Sequence, residues 1–264
     1  MTSSSRFDTA AYWRNRLAGA DLAAVGNLGL SLAFNRHQYA ARVQTLDRLD
    51  LDVSGRRILD VGCGAGFWIE YWLARKAASV AGVEFDSQTA ASTAARYPAA
   101  HIAHSDVTRG LAVDGRFDVV TAIDVLLHII DDDIYLAALA NIRQVVEPGA
   151  KLVLMEPVTL SEPRPYEPGL SSKVRSLGWL DQAMRDTGWR IEIVRPALWL
   201  MANPIETAPA TVCGALRMWW RACAHAARRE APGRIVGGLV RPVDSVLCRM
   251  RWGPTSKLIV ARAV

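Results

Sequence analysis

Several things are scarce in this chain, and each scarcity excludes a class of protein. The four cysteines, Cys63, Cys213, Cys223 and Cys248, contain no C-x-x-C pair. Neither a zinc site nor a disulfide framework is therefore indicated, and reduced thiols are expected. No uninterrupted apolar run reaches the roughly 18 residues that a membrane span needs. The start, Met1-Thr2-Ser3-Ser4-Ser5-Arg6, has no apolar signal core, so a cytoplasmic location is expected. The net charge of +5 is spread as single arginines without a Lys/Arg run, which argues against a nucleic-acid partner and leaves anionic small molecules or an acidic lipid surface. Repeats and low-complexity tracts are absent apart from the short Ser-rich start.

What is present is a globular composition with an ordered series of strand and turn signals. Hydrophobic residues make up 51% and charged residues 22% of 264, enough to bury a full core in one domain with additions. Arg57 to Val61 is short, branched and bounded by glycine, as a buried parallel strand is. Gly62-Cys63-Gly64-Ala65-Gly66 follows, where the missing Cβ atoms allow a sharp bend and close ligand approach. Phe67 to Lys76 then reads as a helix whose first amides face the site. The G-x-G-x-G spacing is shorter than the dinucleotide fingerprint and lacks a phosphate-binding Lys, which suits a phosphate-free nucleoside ligand. A second strand ends in Glu84, where ribose hydroxyls would be bound.

Strands are expected near 57–61, 79–84, 100–103, 117–122, 150–155, 189–196 and 257–261. Helices fall between them, which predicts a mostly parallel seven-stranded α/β sheet with helices on both faces. Residues 1–54 read as an N-terminal helical cap, with Tyr12, Trp13, Leu17, Tyr39 and Leu46 among its apolar positions. The core spans 55–196, and residues 253–264 hold the last strand. Residues 197–252 are a helical insertion: Thr211 to Arg229 is amphipathic, with Trp219, Trp220 and arginines, and Pro232-Gly233 is expected to break it before Ile235 to Arg251. Scaffold or homodimer surface, acceptor lid, and peripheral membrane contact all stay open for it.

Leu59-Asp60-Val61-Gly62-Cys63-Gly64-Ala65-Gly66, Gly82-Val83-Glu84, Ser105-Asp106-Val107, Phe117-Asp118-Val119-Val120 and Glu147-Pro148-Gly149-Ala150-Lys151-Leu152-Val153-Leu154 together resemble class I S-adenosylmethionine-dependent methyltransferases of the small-molecule, type 11/12-like kind. The resemblance covers residues 55–195 and departs at Ala150, where the family usually has a second glycine. It implies a Rossmann-like fold, S-adenosyl-L-methionine as cofactor and S-adenosyl-L-homocysteine as product. Gly62, Cys63, Gly64 and Gly66 would pass beneath the methionyl part, Asp60 would help hold its ammonium, and Glu84 would accept from both ribose hydroxyls. Phe85 and Ile123 would flank the adenosine, with Asp106 and the Val107 backbone on the adenine edge.

The resemblance also implies that the segment Asp124-Val125-Leu126-Leu127-His128 would face the departing methyl. With an alcohol acceptor, His128 is the side chain suited to taking the proton near neutral pH, with Asp124 beside it; a packing or positioning role for His128 stays open. Asp131 to Asp133 read as helix-capping acids, and with Asp124 they also leave room for a divalent cation, although none is expected. His101 and His104 read as structural. Lys173 and Arg175 are candidates for an anionic or polyhydroxylated acceptor. The expected activity is methyl transfer to a small-molecule hydroxyl on a sugar, glycan precursor or secondary metabolite. An N- or C-methyltransferase acting on a lipid-like or aromatic acceptor, and an inactive cofactor-binding sensor or partner, are the alternatives.

Overall fold

The computed structural model describes residues 9–17, 26–160, 162 and 164–264. The Ser-rich start and residues 18–25 of the expected cap lie outside the described residues. The elements in chain order are α1 (Thr9–Leu17), α2 (Leu32–Asp47), β1 (Arg57–Val61), α3 (Phe67–Leu73), β2 (Ser79–Glu84), α4 (Ser87–Arg96), β3 (His101–His104) and β4 (Phe117–Ile123). A single 3-10 turn (Leu126–His128) leads to α5 (Asp132–Gln144), β5 (Val146–Glu156), β6 (Val158–Thr159), β7 (Arg175–Ser176), α6 (Leu177–Asp186) and β8 (Trp189–Pro196). The chain closes with α7 (Ala210–Ala227), α8 (Glu230–Leu247) and β9 (Lys257–Ala263).

Seven strands form one sheet in the order β3-β2-β1-β4-β5-β9-β8. All neighbours through β5 pair in parallel, and β9 runs antiparallel to both β5 and β8. Side chains alternate between two cores, as period-2 strands require. Leu59, Val61, Val120, Leu152 and Leu154 face Tyr135, Leu139 and Leu180 on one side. Ile58, Val119, Val153 and Met155 face Leu46, Trp68, Ile69 and Trp72 on the other. The strand order reverses direction beside β1, so the carboxyl ends of β1 and β4 diverge there and leave a crevice. β5 begins earlier than its apolar run suggests, because Val146 pairs with Phe117 before a bulge that absorbs Pro148 and Gly149.

The insertion departs from its expected form at one point. Pro232 and Gly233 lie inside the first turn of α8 rather than between helices. A proline is tolerated there because first-turn amides have no intrahelical acceptor. The glycine answers to packing: a Cβ at Gly233 would sit 2.2 Å from Ser31 Oγ, and one at Gly237 would sit 2.4 Å from the His37 ring. What reads as a helix breaker is the contact that lets α8 lie close against α2.

That contact is tied by polar groups as well. Glu230 accepts from the Leu32 and Ala33 amides at 2.8 and 3.1 Å, satisfying orphan donors at the start of α2. Phe34, Ala41, Leu198, Met201, Cys223 and Val240 form a small core between α2 and the insertion. Trp220 packs near Phe34, whereas Trp219 is 41% exposed. Lys257 on β9 donates to Glu206 at 3.1 Å, both fully buried. The fully buried Asp244 of α8 accepts from the amides of Trp199, Leu200 and Met201 at 2.9, 2.5 and 2.9 Å. Removing that carboxylate strands three donors. Asp244→Ala is therefore expected to lower unfolding free energy by about 3 kcal/mol or more, read by denaturant unfolding; a loss under about 1 kcal/mol would show that Asp244 does not hold this turn.

Candidate active site

The crevice between β1 and β4 is a cavity of about 370 Å³ lined by the glycine turn, the ends of β2 and β4, the 3-10 turn, and side chains from α1 and α2. Gly62, Gly64 and Gly66 take φ of 69°, 49° and 86°, values that only glycine adopts without strain. The turn is held to β2 by two bonds, since the Gly62 and Cys63 amides both donate to the Val83 carbonyl, at 2.8 and 3.1 Å. Thr93 on α4 donates to the Gly64 carbonyl at 2.7 Å. A Cβ on Gly62 would meet Val125 at 2.7 Å, and one on Gly66 would meet the Tyr97 ring at 2.3 Å. Two of the three glycines are thus required by the protein's own packing.

Glu84 ends β2 fully buried and lines the cavity. One carboxylate oxygen accepts from the Gly64 amide at 2.9 Å, and the other from the Phe85 and Asp86 amides at 3.0 and 3.2 Å. Burial pushes its pKa up while these three donors pull it down. A carboxylate offers about four acceptor positions, so about one remains unused. Asp60 is also buried, but it is not on the cavity wall. Its Oδ1 accepts from Thr121 at 2.6 Å and its Oδ2 has no partner. Burial, with the nearby Glu84 charge, lifts its pKa from 3.8 to about 7. It stands one layer behind the turn, with its field reaching Cys63 and Tyr39 on the wall.

Cys63, Phe85, Asp106, Val107 and Ile123 all line the cavity. Asp106 spends one oxygen on the Thr108 amide and hydroxyl at 2.9 and 2.7 Å, which shapes its loop. The Val107 carbonyl accepts from Asn141 at 2.9 Å. Burial raises the Cys63 thiol well above its usual range, so it is an inert wall group. His104 bonds the Phe85 carbonyl at 3.0 Å, which agrees with a structural reading.

The far end of the cavity is organised by a clasp. His128 sits on the 3-10 turn and its Nδ1 lies 2.6 Å from the Ser171 carbonyl. A carbonyl only accepts, so Nδ1 carries the proton and Nε2 keeps its lone pair. Two residues on, the Lys173 amide donates to the Leu127 carbonyl at 2.9 Å. Two further on, Arg175 donates from Nη2 to the Ile129 carbonyl at 2.7 Å. Lys173 and Arg175 also grip Asp132 at 2.7 and 3.0 Å. The expectation that Lys173 and Arg175 meet an acceptor is therefore corrected: both are absorbed in fixing the turn, and Arg175 is buried against the Tyr135 and Trp179 rings. Burial lowers the His128 pKa below 6.5 despite the Ser171 bond and the Asp124 charge.

Asp124 adopts φ 57° at the end of β4 and takes the Arg42 guanidinium at 2.8 Å. Asp131 caps α5 by accepting from the Asp133 and Ile134 amides, which bears out the capping reading of this acidic run. The apolar half of the wall was not singled out as a site from sequence: Trp13, Tyr39, Phe67, Ile129, Ile130 and Ile134. Trp13 meets the His128 ring edge-on at 4.7 Å, and Tyr39 meets Phe67 at 4.6 Å. For Trp13 and Tyr39 the only signal was membership of the N-terminal helical cap. No residue of 197–252 lines this cavity, so Trp219 and Trp220 do not furnish a greasy pocket.

Residues 58–149 match a family model described as a methyltransferase domain. A Mycolicibacterium smegmatis protein described as a probable S-adenosylmethionine-dependent methyltransferase is 27% identical over 163 residues, covering 60% of each chain. The ubiquinone biosynthesis O-methyltransferase of Alkalilimnicola ehrlichii is 36% identical over 108 residues, covering 38% of this chain and 41% of that one. The match thus spans about 60% or less of these relatives' lengths. Among solved structures, the DhpI–SAH complex superposes with a TM-score of 0.58 at 16% identity, over 99% of this chain and 98% of that one. That likeness shows a shared fold.

The state of Asp60 has a measurable consequence. Its folded pKa of about 7 exceeds its ordinary 3.8, so between those values the folded state holds a proton that the unfolded state has released. Stability must then fall as pH rises through that window. Asp60→Asn is expected to make the fall visibly shallower in denaturant unfolding from pH 4 to 7.5. Superimposable slopes would contradict the buried, half-satisfied carboxylate.

Proposed function

We propose that this chain is a class I S-adenosylmethionine-dependent methyltransferase, and that it methylates a hydroxyl oxygen on a small acceptor with an apolar or aromatic body, using His128 as general base. The cofactor is S-adenosylmethionine, and the residues present fit it. Glu84 retains acceptor capacity on the cavity wall, and an unpartnered Asp60 oxygen lies behind the turn. Gly62, Gly64 and Gly66 keep the turn free of side chains, and Phe85, Asp106 and Val107 line the cavity, where they would meet the adenine. When bound, S-adenosylmethionine supplies an electrophilic methyl group on a sulfonium sulfur.

The observation that carries the proposal is the Nδ1–Ser171 bond, which leaves Nε2 unprotonated in a ring whose pKa burial has lowered. At neutral pH, Nε2 is ready to receive the acceptor hydroxyl's proton as the oxygen becomes nucleophilic. Asp124, anchored by Arg42, supplies a fixed negative charge that favours the imidazolium so formed. The clasp from Ser171 to Arg175 holds the turn, so the ring does not need to be ordered at the moment of reaction. Trp13, Tyr39, Ile129, Ile130 and Ile134 would exclude water and pack an apolar skeleton. Such walls favour a phenolic or other hydroxylated apolar molecule over a sugar. The name of the Alkalilimnicola relative, an O-methyltransferase, points the same way.

Turnover of a hydroxylated aromatic acceptor is expected to drop about 10²-fold or more in His128→Asn, with calorimetric affinity for the cofactor unchanged. Because the base works unprotonated, the parent rate should climb with pH and level off below 6.5, the ordinary histidine value from which His128 is shifted down. Near-parent turnover in the variant, or a rate still climbing above pH 7.5, would remove His128 from the mechanism.

A further inference from the structure

The helix α8 has two apolar faces, and only one is used. Gly233, Gly237, Val240 and Asp244 are buried toward α2. On the roughly opposite side, at the three-to-four spacing of one helical face, Ile235, Leu239, Val243, Val246 and Met250 are exposed by 62, 71, 52, 62 and 49%. Scattered apolar residues on a surface are ordinary, but five forming one continuous stripe across α8 and the turn after it mark an interaction site.

The charge around the stripe identifies what covers it. Residues 197–252 contain eight arginines and only three acids, Glu206, Glu230 and Asp244. All three acids are occupied internally: Glu206 with Lys257, Glu230 with the α2 amides, and Asp244 with the amides of 199–201. Arg221, Arg228, Arg229, Arg234, Arg249 and Arg251 are exposed. The insertion therefore presents an apolar stripe beside six exposed arginines and one exposed acid, Glu230, which is tied to α2. A second copy of this chain would bring like charges together, and a nucleic acid would leave five aliphatic side chains uncovered. A bilayer surface satisfies both features at once, taking the stripe into its acyl boundary while anionic headgroups meet the arginines.

We propose that α8 and the turn after it dock this protein onto an anionic lipid surface. No helix among the described residues is long and apolar enough to cross a membrane, so the attachment is peripheral and reversible. The mode is independent of the reaction, because no residue of the insertion lines the catalytic cavity. The helix α2 joins the two, packing on α8 and sending Tyr39 to the cavity wall.

The test is sedimentation of the full chain with vesicles of mixed phosphatidylglycerol and phosphatidylcholine, against vesicles of phosphatidylcholine alone. Binding is expected to be about tenfold or more tighter to the anionic vesicles and to weaken with added salt. The exposed pair Ile235→Ser/Leu239→Ser, and separately Arg234→Ser/Arg249→Ser, should each weaken binding about tenfold. Thermal midpoint and calorimetric cofactor affinity should not move in either variant. Absence of binding to anionic vesicles, or binding that the apolar pair leaves intact, would overturn the proposal. So would a dimer, measured by light scattering, that the apolar pair dissociates.

Discussion

The carboxylate of Glu84 is the interaction on which the rest of the site depends. It gathers the Gly64, Phe85 and Asp86 amides onto one buried group, so the glycine turn after β1 and the loop after β2 cannot move independently. Without it, three donors would be left in a space where burial penalises each one. With it, the turn is seated, Gly62 and Gly66 close against Val125 and Tyr97, and the cavity between β1 and β4 keeps its shape. Burial raises the Glu84 pKa, and the three amides draw it back down. Glu84 holds the turn and also keeps an acceptor position toward the cavity.

The second half of the site is built by different means. His128 is oriented by a loop that lies some forty residues further along the chain, and alternate residues of that loop, Ser171, Lys173 and Arg175, each fix one carbonyl or side chain of the turn. A general base suited to neutral pH needs a fixed tautomer and a lowered pKa. The carbonyl of Ser171 sets the first, and enclosure by Trp13 and its neighbours sets the second. The glycine turn and the His128 turn thus rest on separate supports, so that damage to one need not disable the other.

Much of the fold was legible because it is written in local periodicity. Short apolar runs at 57–61, 79–84, 117–122 and 257–261 appear as strands with nearly those bounds, and the glycine turn and Glu84 are short-range features of β1 and β2. Misreadings arose where distant packing decides the outcome. Pro232-Gly233 resembles a break, yet the glycine is there for the approach of Ser31. Lys173 and Arg175 resemble ligand-binding cations, yet Asp132, far earlier in the chain, already holds them. The apolar half of the cavity wall was hidden for the same reason, since Trp13, Tyr39 and Ile134 come from three separate helices.

The central claim is that the Glu84-tied turn forms the cofactor site. Its most direct test is calorimetric titration of S-adenosylhomocysteine into the parent chain and into Glu84→Gln, with folding of both checked by thermal unfolding. One site per chain is expected for the parent, with binding weakened about 100-fold or more in the folded variant, which loses the charge and one of the carboxylate's acceptors. Equal affinity in the two proteins, or no heat from the parent, would contradict the account.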